Sequence, residues 1–260
     1  MLPTVNILEL KVTRFIIGGN PFSGFSHQSR ERDEEMLNYY TTARLKETLH
    51  RAEAAGVNTT IMRSDPHIHR LLREYYNEGG TIQWIAQVGA DSGARSIPQA
   101  IDRAVWAGAK AAYIHGGQVD ACYAEQDRDS LAEWLGRFRS HGIPAGVAGH
   151  APEAHLWVDS LGIADFHAVC FYNCGSLHDG KGEKFKPEDP PRAVEAIRRI
   201  QKPCIGYKIM GAGRVDPREA FEFAFANIKP TDMVNVGIHR GDNDRMVEDD
   251  VAMVAEVLGA

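Results

Sequence analysis

The sequence predicts an α/β protein of the (β/α)8 barrel class, with a doubly wound open sheet as the alternative. Three observations lead there. Eight short apolar runs, each of strand length and bounded by Gly, Pro or polar residues, punctuate the chain. Between them lie stretches with apolar residues three or four apart, the spacing of helices that bury one face. The 260 residues are close to the roughly 250 that eight strand–helix units occupy, whereas an open sheet more often stops at about five to seven strands. No linker or low-complexity tract interrupts the rhythm, so residues 1–260 are expected to form one barrel domain.

The runs begin with RFIIGGN at Arg14 and continue with NTTIMR at Asn58, IQWIAQVG at Ile82 and AKAAYIHG at Ala109. They end with AGVAGH at Ala145, AVCFYN at Ala168, PCIGYK at Pro203 and MVNVGI at Met233. The helical stretches carry their own boundary signals. TTARLKETLHRAEAAG places Leu45, Leu49, Ala52 and Ala55 on one face and stops at Gly56. SLAEWLGRFRSHG opens on a cap-like Ser130 and closes at Gly142, and Asp216-Pro217 is a helix start. The last stretch aligns Met246, Val247, Val251, Val254 and Val257. Two connections, 20–40 and 173–190, are longer than a barrel needs and follow strand ends, on the face where barrel chemistry forms.

Composition narrows the partners. A hydrophobic fraction of 43% with 25% charged residues is that of a globular chain rather than a disordered one. A net charge of −6 argues against a nucleic-acid surface, because phosphate binding needs a basic excess. No uncharged apolar run reaches the ~18 residues of a membrane span, and the N-terminus lacks signal-peptide order. With only four cysteines, Cys122, Cys170, Cys174 and Cys204, a reducing cytoplasm is expected and a disulfide scaffold is not. A small-molecule substrate is the expected partner, and the sequence leaves the oligomeric state open.

Strand parity then predicts a pocket. Residues two apart face one side of a strand, which groups Ile16, Gly18 and Asn20; Ile85 and Gln87; and Ala111, Tyr113 and His115. It likewise groups Gly146, Ala148 and His150, and Cys204, Gly206 and Lys208, leaving Ile205 and Tyr207 to face the helices. Asn20, Gln87, His115, His150 and Lys208 should converge at the C-terminal mouth, joined by Arg63, Asp65, Tyr172 and Asn173 as substrate-binding groups. An ammonium there must meet a carboxylate or an anion, or lose its proton, which makes Lys208 a candidate proton carrier or Schiff-base nucleophile. His115 and His150 suit acid–base work near neutral pH. A divalent ion on them would need a third ligand from Asp65, His67 or His239, and no HExxH motif exists, so a metal is the lesser alternative. After Lys208, Gly211, Gly213 and Arg214 form a glycine-bearing turn before a helix, and the eighth strand ends in His239 and Arg240. That combination is expected to hold a phosphate or carboxylate.

ILELKVTRFIIGGNPFSG, AEAAGVNTTIMR, AAYIHG, VCFYN, KPCIGYKIMGAGR and DMVNVGIHRGDNDRMVEDD together resemble the aldo-keto reductase superfamily over most of the chain. The resemblance implies a (β/α)8 barrel with a short N-terminal hairpin, and carbonyl reduction with NADPH by an Asp, Tyr, Lys and His. His115 matches the family His. The Asp position falls near Ile61 or Met62 and the Lys position near Gln87, and no Tyr follows the second strand. The leading expectation is therefore an enzyme with a replaced active site that handles a small polar, oxygenated or carbohydrate-like substrate, anionic ones included. Lys208, His115 and His150 would perform lyase- or isomerase-type acid–base chemistry. A divergent NADPH-dependent reductase and a non-catalytic ligand-binding barrel are the alternatives.

Overall fold

The computed structural model describes residues 1–90, 93–174 and 185–260. The chain begins with an antiparallel hairpin, β1 (Thr4–Ile7) and β2 (Leu10–Thr13). Its Ile7 and Val12 are fully buried against barrel-interior residues, while Asn58, just before the second barrel strand, accepts a hydrogen bond from the Thr13 amide at 2.9 Å. The hairpin thus plugs the N-terminal end and leaves the opposite mouth as the open one.

The barrel closes from eight parallel strands: β3 (Phe15–Gly18), β4 (Thr59–Arg63), β5 (Gln83–Val88), β6 (Ala111–Ile114), β7 (Ala145–Gly149), β8 (Phe166–Cys170), β9 (Cys204–Tyr207) and β10 (Met233–Gly237). Each pairs with its neighbour in sequence, and β10 returns to β3 through Val234–Phe15 and Gly237–Gly18. Around them run α1 (Arg30–Tyr39), α2 (Thr42–Ala54), α3 (Pro66–Asn77), α4 (Ile97–Trp106), α5 (Gly116–Glu125), α6 (Arg128–Ser140), α7 (Pro152–Leu161), α8 (Asp189–Arg199), α9 (Pro217–Asn227) and α10 (Met246–Leu258). Start signals match chemistry: Thr41 accepts from the Arg44 amide, and Asp216 from those of Arg218 and Glu219 ahead of Pro217. The expected cap Ser130 lies inside α6. Asp127 caps that helix instead by accepting from the Ser130 amide at 3.0 Å, since an ionised carboxylate is the stronger acceptor.

The strands bury side chains on both faces, and two cores result. Phe15, Ile17, Trp84, Ile114, Val147 and Val234 pack outward against the helices. Ile16, Ile61, Ile85, Tyr113, Phe166, Ile205 and Met233 fill the barrel interior. Large and small residues interdigitate there: a Cβ added at Gly146 would stand 2.4 Å from the Phe166 ring. One expected parity is reversed. Ile205 and Tyr207 point into the barrel while Cys204 and Gly206 face the helix side, where a Cβ on Gly206 would stand 2.7 Å from Phe171. The first long connection holds a 3-10 turn (Pro21–Ser23) and α1. The second, 173–190, lies partly outside the described residues. Among the described residues no helix is long and apolar enough to cross a membrane, and all four cysteines are free and buried.

Candidate active site

At the open mouth the strand ends enclose a cavity of about 590 Å³. Asn20, Arg63, Gln87, His115, His150, Asn173 and Lys208 all line it, each from the end of a different strand or the loop just beyond. Asp65 and Tyr172 do not. Asp65 caps α3 through the Ile68 amide and pairs with the Arg63 guanidinium at 2.9 Å, so it aims Arg63 rather than meeting cavity contents. Tyr172 stacks on Phe185 with ring centroids 4.8 Å apart.

The two histidines are set in opposite ways. His115 ends β6 and is the N-cap of α5, where its Nδ1 accepts the Gly117 amide proton at 3.2 Å. That contact leaves the ring proton on Nε2. His150 follows β7, and its Nδ1 lies 2.8 Å from an Asp120 carboxylate oxygen. Asp120 also accepts from the His150 backbone N–H at 3.2 Å, fixing the ring's base and its orientation together. With Nδ1–H donated to the carboxylate, His150 Nε2 carries the lone pair. Gly116 permits this packing, because a Cβ there would lie 2.9 Å from His150 Cε1. Asp120 was not among the sequence-derived candidates. The spacing HGGQVD places it one turn inside α5, a helix whose double-glycine start hides it from propensity reading.

Tyr113 and Tyr207 form the cavity floor, both raised well above the ordinary phenol range by burial. Tyr113 donates to Gln87 Oε1 at 2.9 Å and Tyr207 to the Gly149 carbonyl at 3.1 Å, so both phenols keep their protons. Burial likewise pushes the Cys170 thiol up to about 11, toward the protonated form. Lys208 follows Tyr207 with φ of +55°, a left-handed backbone that L-residues avoid. The turn explains why Lys208 reaches the cavity even though its strand has the opposite parity from that expected. Its amine lies 5.8 Å from the Tyr207 ring centroid and ion-pairs with no carboxylate among the described residues.

A second cavity of about 260 Å³ adjoins the first, sharing Asn20, Phe25, His27, Tyr207, Lys208 and Asn235. Of the expected anion-binding group, Gly213 and His239 line it, while Gly211, Arg214 and Arg240 do not. The Arg240 guanidinium is buried and bonded to Glu47, Asp244 and Thr48, and the Arg214 guanidinium donates to the carbonyls of Gly211 and His27. Both cations are therefore engaged within the protein. Nor do His115 and His150 share a third ligand: among the described residues the close cluster of ligating type is Glu35, His239 and Asp242.

No family model and no curated protein matches the sequence. Solved structures do match its backbone. An aldo-keto reductase from Pseudomonas aeruginosa superposes with a TM-score of 0.67 at 17% identity, over 98% of this chain and 94% of that one. A glycerol dehydrogenase from Gluconobacter oxydans gives 0.60 at 10% identity, covering 99% and 90%. A truncated 3-deoxy-D-arabino-heptulosonate 7-phosphate synthase from Thermotoga maritima gives 0.58 at 12%, covering 100% and 94%. At such identities the likeness concerns the backbone alone. The chain has a closed eight-stranded barrel and a separate hairpin, and its backbone is similar to that of aldo-keto reductases over nearly its whole length.

Proposed function

We propose that this protein is a barrel enzyme that moves protons on a small polar, oxygenated substrate, with His150 as base and His115 as acid. The opposite hydrogen-bond settings of the two rings carry this reading. Asp120 keeps the lone pair of His150 on Nε2, and the Gly117 amide keeps the proton of His115 on Nε2. Proton abstraction from carbon or oxygen leaves negative charge on the substrate. Lys208 and Arg63, both lining the cavity, would stabilise that charge, and Asn20 and Gln87 would orient hydroxyl or carbonyl groups. Such chemistry belongs to the lyase or isomerase class. The glycerol dehydrogenase among the structural neighbours acts, by its name, on a polyol, in keeping with an oxygenated substrate.

Deuterium exchange from solvent into small hydroxy-carbonyl compounds, followed by NMR, tests the proposal directly. Exchange or turnover by the wild type should fall about 10²–10⁴-fold in His150→Ala. It should fall comparably in Asp120→Asn, which reverses the tautomer while keeping the ring in place. Equal rates in wild type and both variants would end the assignment. Saturable binding without any exchange across the set would favour the non-catalytic barrel.

Carbonyl reduction with NADPH is the second reading, favoured by the adjoining cavity, which extends the first as an elongated cofactor would require. The residues present do not fit that cofactor. Gln87 occupies the expected lysine position, and both floor phenols are committed to protein acceptors. At the far end the Arg32 guanidinium is held by Glu35 and Asp242. A 2′-phosphate there would compete with those two carboxylates for Arg32.

A further inference from the structure

We propose that Glu35, His239 and Asp242 form a site for one divalent ion of the zinc type, joining α1 to the loop after β10. The three residues offer one ligand atom each, all within 4.8 Å of one another. His239 gives the independent reason to expect an ion. Its ring is 3% exposed and held edge-on by Tyr39 and Tyr40, with centroids 5.3 and 5.6 Å away. Among the described residues neither ring nitrogen has a hydrogen-bond partner. An imidazole desolvated on both nitrogens is costly unless something takes up a lone pair.

The carboxylates supply the charge. Glu35 and Asp242 are exposed, converge from separate segments, and already demand a cation: the Arg32 guanidinium donates to both, at 2.6 Å to Glu35. A divalent ion would take those oxygens in place of Arg32. Ligands in a tetrahedral zinc shell lie roughly 3.3 Å apart. Rotation of the two exposed carboxylates toward the fixed imidazole closes the remaining gap, and water completes the fourth position. The nitrogen donor favours zinc-type ions over calcium or magnesium, which prefer all-oxygen shells. Arg32, Met36, His239 and Asp242 also line the second cavity, so the ion would stiffen its rim.

The test is equilibrium dialysis of chelator-stripped protein against Zn²⁺, with bound metal counted and affinity measured against a chromophoric chelator. The wild type should bind one equivalent, and Asp242→Asn, Glu35→Gln and His239→Gln should each weaken it about tenfold or more. The Co²⁺ form should show the visible spectrum of a four-coordinate nitrogen–oxygen site. Asp242→Asn and Glu35→Gln change exposed side chains, so they decide the matter even where His239→Gln fails to fold. Absence of a stoichiometric equivalent in the wild type, or equal affinity in these variants, overturns the site. Loss confined to His150→Ala would place the ion in the first cavity and overturn it equally.

Discussion

Asp250 carries a measurable penalty that one substitution should remove. It sits on the buried side of α10, 4% exposed, borders the second cavity, and has no hydrogen-bond partner among the described residues. Desolvation, helped by the charge of neighbouring Asp249, raises its pKa from 3.8 to about 7. A carboxyl whose folded pKa lies above its unfolded value contributes stability that is complete below the unfolded value. That stability is lost as pH rises through the folded value. About three units at 1.36 kcal/mol each set the full effect on the order of 4 kcal/mol, and about 2–3 kcal/mol of it falls between pH 5 and 8. Asp250→Asn keeps the shape and cannot ionise. Urea unfolding of both proteins across that range should show the variant gaining on the wild type by that amount as pH rises, levelling off above pH ~8. A difference that stays flat with pH would refute the reasoning, because it would mean that Asp250 ionises as readily in the fold as out of it.

Three further outcomes follow from the geometry. Lys208→Gly removes a Cβ from a left-handed backbone at φ +55° and should raise stability by about 1 kcal/mol while abolishing turnover. A thermal melt showing lower stability would instead make the Tyr207–Lys208 contact a structural one. His155 and His167 are buried against each other, Nδ1 to Nδ1 at 3.2 Å, and desolvation lowers His155 to about 4 and holds His167 well below the ordinary range. Their folded pKa values lie below the unfolded ones, so stability is full above pH ~6.5 and falls on acidification by up to about 1.4 kcal/mol per unit per ring. His155→Gln should flatten that acid limb in pH-dependent urea titrations, and an unchanged slope would contradict its neutral burial. NADPH, followed by its own emission because no Trp lines either cavity, should show no saturable binding below roughly millimolar concentration, a Kd corresponding to about −4 kcal/mol. Micromolar saturation would restore the reductase reading.

The barrel was legible because a buried parallel strand writes itself as a short apolar run, and eight of them at this length admit few closures. The same physics hid the register of one strand. Cys204, Ile205, Gly206 and Tyr207 are small or apolar at every position, and both faces of β9 are covered, so alternation carries no signal about which pair faces inward. Lys208 was still placed at the mouth, but by a left-handed turn rather than by the expected parity. At the other strand ends Asn20, Gln87, His115 and His150, polar residues that follow apolar ones, line the cavity.

Where a group's role depends on a partner distant in the chain, residue type alone does not reveal it. Arg240 has the chemistry of an anion ligand, yet one carboxylate that holds it, Glu47, lies 193 positions away. Asp120 looks like any acid on a surface helix until barrel closure brings it to His150, 30 positions on. Residue type sets what a side chain can do, but pairing decides which charges remain for a ligand. By that criterion Arg240 is already matched within the protein, whereas the Lys208 amine ion-pairs with no carboxylate among the described residues. Under the proposed function, attraction for a substrate anion falls mainly on the Lys208 side of the mouth. Changes at Arg240 should act on folding, while changes at Lys208 should act on chemistry.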